Sequence, residues 1–270
     1  MKRKTLLLST VFIGFMLSGC DSSSKEKNSY ESESSLKVEH TEVLPYLNIK
    51  EQPAKIALPY CEQKNCVEMD IQTIQTQDQW MNDWVEKSQA IVIQKQIGLD
   101  QNITLQQAVN AYVKKSDHWQ TEVYSNPAYA LNMYTRIAYQ RNQFVLLQIG
   151  VDARQDGLNI KERYYFFVAD RKSKKALKIL DVIDSKKQSK MNTFVQEAYK
   201  SWLKKQSSDV QKKSPKKLLW GQADWFFDNE GLGLHYRTNE ILDESEQLDI
   251  YLTKAQTQQV LKADIYQNMF

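Results

Sequence analysis

Glycine, proline, cysteine and histidine are all scarce in this 270-residue chain, which holds eight Gly, five Pro, three Cys and three His. So little Gly and Pro excludes collagen-like and Pro-rich fibrous classes. His40, His118 and His235 stand singly, with no partners at metal-ligand spacing. A Gly-rich phosphate loop, an HExxH pair and a GxSxG elbow are all missing. No catalytic residue, no cofactor and no metal is therefore predicted. Only one apolar run, Leu6 to Leu17, is long enough to matter, and it falls short of the ~20 residues a spanning helix needs, so a multi-span membrane protein is excluded. What is present, 41% hydrophobic and 26% charged residues, excludes disorder over the whole length. It suffices for one large domain or two small ones.

Charge of one sign is also lacking once the N-terminus is set aside. The chain carries 36 Lys+Arg against 33 Asp+Glu. Lys2, Arg3 and Lys4 supply the whole excess. They precede the apolar run in the order of a secretory signal, with small residues after it. Without that segment the charges balance, so a bulk argument for nucleic-acid binding fails.

The signal ends in Leu17-Ser18-Gly19-Cys20, which resembles the lipobox of bacterial lipoproteins. Small Ser18 and Gly19 admit a peptidase, and the Cys20 thiol takes a diacylglycerol before becoming the new N-terminus. The expected product is an acylated, palmitate-type lipoprotein, because two or three chains hold stably where one does not. Residues 1–19 are then the signal peptide and 20–55 a flexible tether, Ser-rich and charged from Asp21 to Lys37. The expected place is the bacterial envelope, lipid-anchored and facing the periplasm. Asp21 favours the inner membrane weakly, and the outer membrane remains open.

Cys61 and Cys66 bracket four polar residues. In an oxidising periplasm the natural reading is a disulfide, contributing roughly 2 kcal/mol for so short a loop. A zinc pair would need two more ligands, and a redox pair is usually CxxC.

The body reads as α+β, an antiparallel meandering sheet packed by a few amphipathic helices. Short strands are predicted at 56–58 and 67–74. Capping boxes at Thr76-x-x-Gln79, Thr104-x-x-Gln107 and Thr253-x-x-Gln256 mark helix starts, the last running through Lys262. From Trp119 the period changes to two. Strands follow around Tyr129–Tyr139, Phe144–Val151 and Tyr164–Val168, with turns at Arg141-Asn142-Gln143 and Asp156-Gly157. Met191, Phe194, Val195, Ala198, Tyr199, Trp202 and Leu203 form the clearest helical stripe, read as a sheet-packing face. A hairpin at 225–236 and a strand at 248–252 complete it.

Tyr165-Phe166-Phe167-Val168-Ala169-Asp170, followed by Lys175 to Ile183, resembles the strand-turn-strand run of the RsiV-like proteins of the DUF3298 family, often preceded by a DUF4163 region. Trp225-Phe226-Phe227, Gly231 to Tyr236, Glu240-Ile241 and Leu248 to Leu252 resemble its C-terminal signature. The resemblance implies a DUF4163-like part at 56–117 and a DUF3298-like part at 118–270. It also implies an extracytoplasmic binding role, since members sense or bind envelope ligands, lysozyme among them. Binding loops in the family correspond here to Asp156, Gly157 and Asn159, where a Gly-Gly-Ala-His segment is replaced. The others are His235, Tyr236, Arg237 and Asn239, where Arg237-Thr238-Asn239 replaces a Pro-Pro-Tyr. Sigma-factor capture is not expected in a chain processed at Cys20, and a deacetylase domain is not expected to fit in the remaining length.

The expected function is a lipid-anchored binding module without enzymatic activity. Its partners would be the membrane, through Cys20, and an envelope protein or peptidoglycan ligand. The alternatives are a structural or assembly lipoprotein docking on a membrane partner, and an envelope hydrolase using His118 or His235. Charge segregates along the body: Arg171 to Lys217 holds fifteen cations against four anions, and Ala223 to Phe270 three against nine. The plain reading is a solvated basic face balanced by an acidic segment. The sharper hypothesis is that the basic segment rests on the anchoring membrane.

Overall fold

The computed structural model describes residues 44–61, 65–123, 125–242 and 245–270. The signal, the Cys20 lipobox and the tether as far as residue 43 lie outside the described residues. Residues 43–270 form one compact unit. Position 117/118, read as a part boundary, falls inside a helix of that unit.

The fold is α+β. A six-stranded sheet runs in the order β1 (Lys50–Pro53), β2 (Glu68–Gln75), β3 (Ala130–Arg141), β4 (Phe144–Gln155), β5 (Leu158–Asp170) and β6 (Lys175–Leu177). Strands β3 to β6 are the expected antiparallel meander. β2 lies parallel to β3 instead. A parallel neighbour needs a long crossover, and two helices supply it: α1 (Gln79–Gln96) and α2 (Leu105–Glu122).

The end of the expected tether joins this fold. Leu47 is buried, and β1 pairs antiparallel with β2. Residues 56–58 do not form the predicted strand. The Gln106 side-chain amide satisfies the backbone of Ala57 on both sides, at 2.8 and 2.7 Å, so no ladder partner is needed. Cys61 and Cys66 form a disulfide, with Cα atoms 5.7 Å apart.

Odd and even positions of β4 face different cores. Val145, Leu147, Ile149 and Val151 pack against Met81, Val85, Val109 and Tyr112 of α1 and α2. Phe144 and Leu146 pack on the opposite side. There they meet α3 (Ile179–Val182), α4 (Gln188–Leu203), and a second sheet of β7 (Asp224–Phe227), β8 (Gly231–Tyr236) and β9 (Leu248–Thr253). The predicted stripe on α4 buries Met191, Val195 and Tyr199 in this core. A short helix, α5 (Ser208–Lys213), follows it. The closing helix is two, α6 (Lys254–Gln258) and α7 (Ala263–Met269), because Leu261 between them pairs as a bridge with Ile183.

Candidate cleft between the second hairpin and the loop after β8

The cleft starts from an irregularity in β5. Val151 pairs with Arg163 and Ala153 with Ile160, so Lys161 and Glu162 together oppose Asp152, a bulge of one extra residue in β5. Glu162 takes a left-handed φ of 51°, and its N–H donates to Asp152 Oδ1 at 2.7 Å. The bulge turns this stretch of β5 toward the loop that follows β8. That loop is a tight turn: Glu240 N–H donates to the Arg237 carbonyl, Asn239 N–H to that of Ser245, and Asn239 adopts a left-handed φ of 62°. Asn tolerates this conformation better than most residues.

The two segments enclose a polar cavity of about 220 Å³. Asn159, Arg163 and Tyr164 line it from β5, and Arg237, Asn239 and Gln247 from the other side. Arg163 Nη2 reaches across to the Thr238 carbonyl at 3.5 Å. Three of the seven predicted loop residues, Asn159, Arg237 and Asn239, are thus brought together from positions nearly eighty residues apart in sequence.

Arg237 anchors the far wall. Its Nη1 donates to Asp224 Oδ2 at 2.6 Å, and its Nη2 and backbone N–H donate to Glu240, each at 2.7 Å. The guanidinium lies 4.3 Å from the Tyr165 ring centre, a cation–π geometry. Burial works against the charge, but Asp224 and Glu240 outweigh it and the Arg237 pKa is raised. Asp224 also accepts from the Phe166 N–H at 3.2 Å and pairs with Lys95 at 3.8 Å. Arg237 and Asp224 separate the polar cavity from a larger apolar one of about 640 Å³, between α1, β5, β6 and the start of β7.

The remaining predicted residues have other roles. Asp156 and Gly157 form the β4–β5 turn with left-handed φ values of 49° and 75°, and the Asp156 carboxylate accepts from the Tyr129 hydroxyl. His235 is buried. Its Nδ1 lies 2.6 Å from Asp249 Oδ1, its ring packs edge-on to Phe166 at 5.1 Å, and its Nε2 has no hydrogen-bond partner. Burial raises the Asp249 pKa, but His235 and Gln247 outweigh it and the net shift is downward. Tyr236 points into the second core and donates to the Leu219 carbonyl at 3.2 Å. His118 sits on the exposed side of α2, 3.4 Å from Glu122. Among the described residues no group of three His, Cys, Asp or Glu is placed to hold a metal.

Sequence reasoning missed Arg163 and Gln247, which complete the cleft, and Lys95 and Asp224, which brace it. Glu240, three residues after Arg237, was the one local signal available.

Solved structures share this arrangement of elements. A DUF3298 family protein from Pseudomonas aeruginosa PAO1 superposes with a TM-score of 0.59 at 15% identity, covering 82% of this chain and 97% of that one. The chain has the DUF3298 fold. A DUF3298 family member from Bacteroides fragilis gives a TM-score of 0.54 at 12% identity, over 83% of this chain and 97% of that one. No family model and no curated protein matches the sequence.

Proposed function

We propose that the chain is a lipid-anchored, extracytoplasmic binding module of the RsiV-like type, with a DUF4163-like part ahead of its DUF3298-like part. Cys20 holds it on the membrane, and the cleft between β5 and the loop after β8 takes an envelope ligand, a cell-wall fragment or a lysozyme-like protein. The observation that carries this reading is the meeting of Asn159, Arg237 and Asn239 in one cavity with Arg163 and Gln247. Asn159, Arg163 and Asn239 present amide and guanidinium donors, suited to carbonyl, carboxylate and hydroxyl groups, while Arg237 and Gln247 donate to Asp224, Glu240 and Asp249 in the wall. The DUF3298 fold and the Cys61–Cys66 disulfide support it further.

The hydrolase alternative gains little. His235 Nε2, the nitrogen that would serve a nucleophile, faces the interior without a partner.

Pull-down and calorimetry with lysozyme and with purified muropeptides test the proposal. One of the two probes binds, and Arg163→Glu combined with Asn239→Asp weakens it at least about tenfold, the scale of losing one charge-assisted hydrogen bond. Binding untouched by that pair removes the cleft as the site. Failure of both probes removes the envelope-ligand reading.

A further inference from the structure

A second surface lies on the far side of the Asp224–Arg237 partition. Leu180, on α3, is 49% exposed, and Leu219, in the segment leading to β7, is 76% exposed. They are neighbours: Leu180 is the side chain that faces Gly221, two residues after Leu219. Between them open the apolar cavity of about 640 Å³ and a shallower one of about 290 Å³, which share Gln222 and Ala223. Ile91, Phe167, Leu177 and Trp225 line the larger cavity.

Lysines surround this apolar strip. Lys178 lines the larger cavity and Lys217 the smaller, with Lys216 beside it in the chain. Lys175 and Lys262 flank α3, where both reach Asp181. The acidic groups nearby are engaged. Asp181 pairs with Lys175 at 3.1 Å, and Asp224 and Glu240 are held by Arg237. Lys178, Lys216 and Lys217 form no salt bridge among the described residues, in a segment, Arg171 to Lys217, with fifteen cations against four anions.

Exposed leucines set among lysines fit one kind of partner. Anionic headgroups attract the lysines, and the leucines bury in the headgroup–acyl boundary. A soluble polyanion would use the lysines and leave the leucines without a role. We infer that this face docks on an anionic phospholipid bilayer, Leu180 and Leu219 entering the interface and Lys178, Lys216 and Lys217 meeting phosphate groups. The inference is independent of the cleft and its ligand.

Both hydrophobic cores lie inside residues 43–270. This unit, its folding checked by cooperative urea unfolding, is sedimented with vesicles of phosphatidylglycerol and phosphatidylcholine mixed, and of phosphatidylcholine alone. The expected result is binding to the anionic vesicles that weakens with salt. Lys216→Gln with Lys217→Gln lowers the partition coefficient about tenfold or more, as expected for lysines near such a surface. Leu180→Asp with Leu219→Asp lowers it at least as much, while Val123→Asp, at an exposed apolar residue just after α2, leaves it unchanged. No binding, or equal binding to both vesicle types, overturns the inference. So does anionic-vesicle binding that ignores the leucine pair, the pattern of a surface for a soluble polyanion such as polyglutamate.

Discussion

Arg237 joins what the cleft needs and what the fold needs. Its guanidinium closes the wall of the cavity and neutralises Asp224 and Glu240 while almost wholly buried. Removing the guanidinium leaves the largely buried Asp224 with only the more distant Lys95 as a cation, while Glu240 keeps access to solvent. Arg237→Ala is therefore expected to cost about 3 kcal/mol in urea unfolding. The double variant with Asp224→Asn should cost clearly less than the sum of the two single changes. Additive costs would mean the pair is not coupled. His235 and Asp249 yield a pH effect of definite sign. The Asp249 pKa is lowered in the folded state, so its stabilisation is present above the ordinary carboxylate value and is lost as pH falls through the folded one. The urea midpoint of the wild type should drop more steeply below about pH 4 than that of Asp249→Asn. Parallel curves would show that the pair contributes nothing to acid sensitivity. Asn159, Arg237 and Asn239 were legible in the sequence because they stand where a family pattern is replaced. Arg163 was not, because the bulge that aims it depends on how β4 and β5 pair. Asp224 and Lys95 meet only after β7 folds back onto β5.

Local chemistry fixed several elements well and misjudged others for identifiable reasons. Thr104 and Thr253 form complete capping boxes with Gln107 and Gln256. Thr76 fits the same pattern and does not cap α1. Its hydroxyl and backbone N–H are taken by Asn82 at 2.9 and 2.8 Å, and Asp78 caps the helix through Met81 N–H. Sequence spacing cannot show that competition. The parallel pairing of β2 with β3 was hidden likewise, since period-two alternation reads the same in either direction. β4 was legible as a continuous apolar run, and the structure gives the reason, a core on each face. The Cys61–Cys66 disulfide closes a short loop within the connection between β1 and β2, too short to restrict the unfolded chain greatly. Cys61→Ser with Cys66→Ser should lower stability by roughly 2 kcal/mol in denaturant titrations. A loss near zero would show that the β1–β2 connection is held by its hydrogen bonds alone, including those of Gln106 to Ala57.

Two cores lie on opposite faces of one sheet, and the two proposed surfaces lie apart. The polar cleft opens where β5 meets the loop after β8, and the basic, leucine-studded face lies beyond Asp224 and Trp225. Charge also segregates along the chain, with cations concentrated from Arg171 to Lys217 and anions after Ala223. Among the described residues no helix is long and apolar enough to cross a membrane. In the proposed arrangement, an anchored receptor would turn one surface to the lipid and keep the other free for its ligand. Acylation is the condition on which that arrangement depends. Cells expressing the full chain are grown with radioactive palmitate, and the protein is isolated and counted beside its Cys20→Ser variant. The wild type should carry label and the variant none; an unlabelled wild type, or equal label in both, would contradict the anchored arrangement.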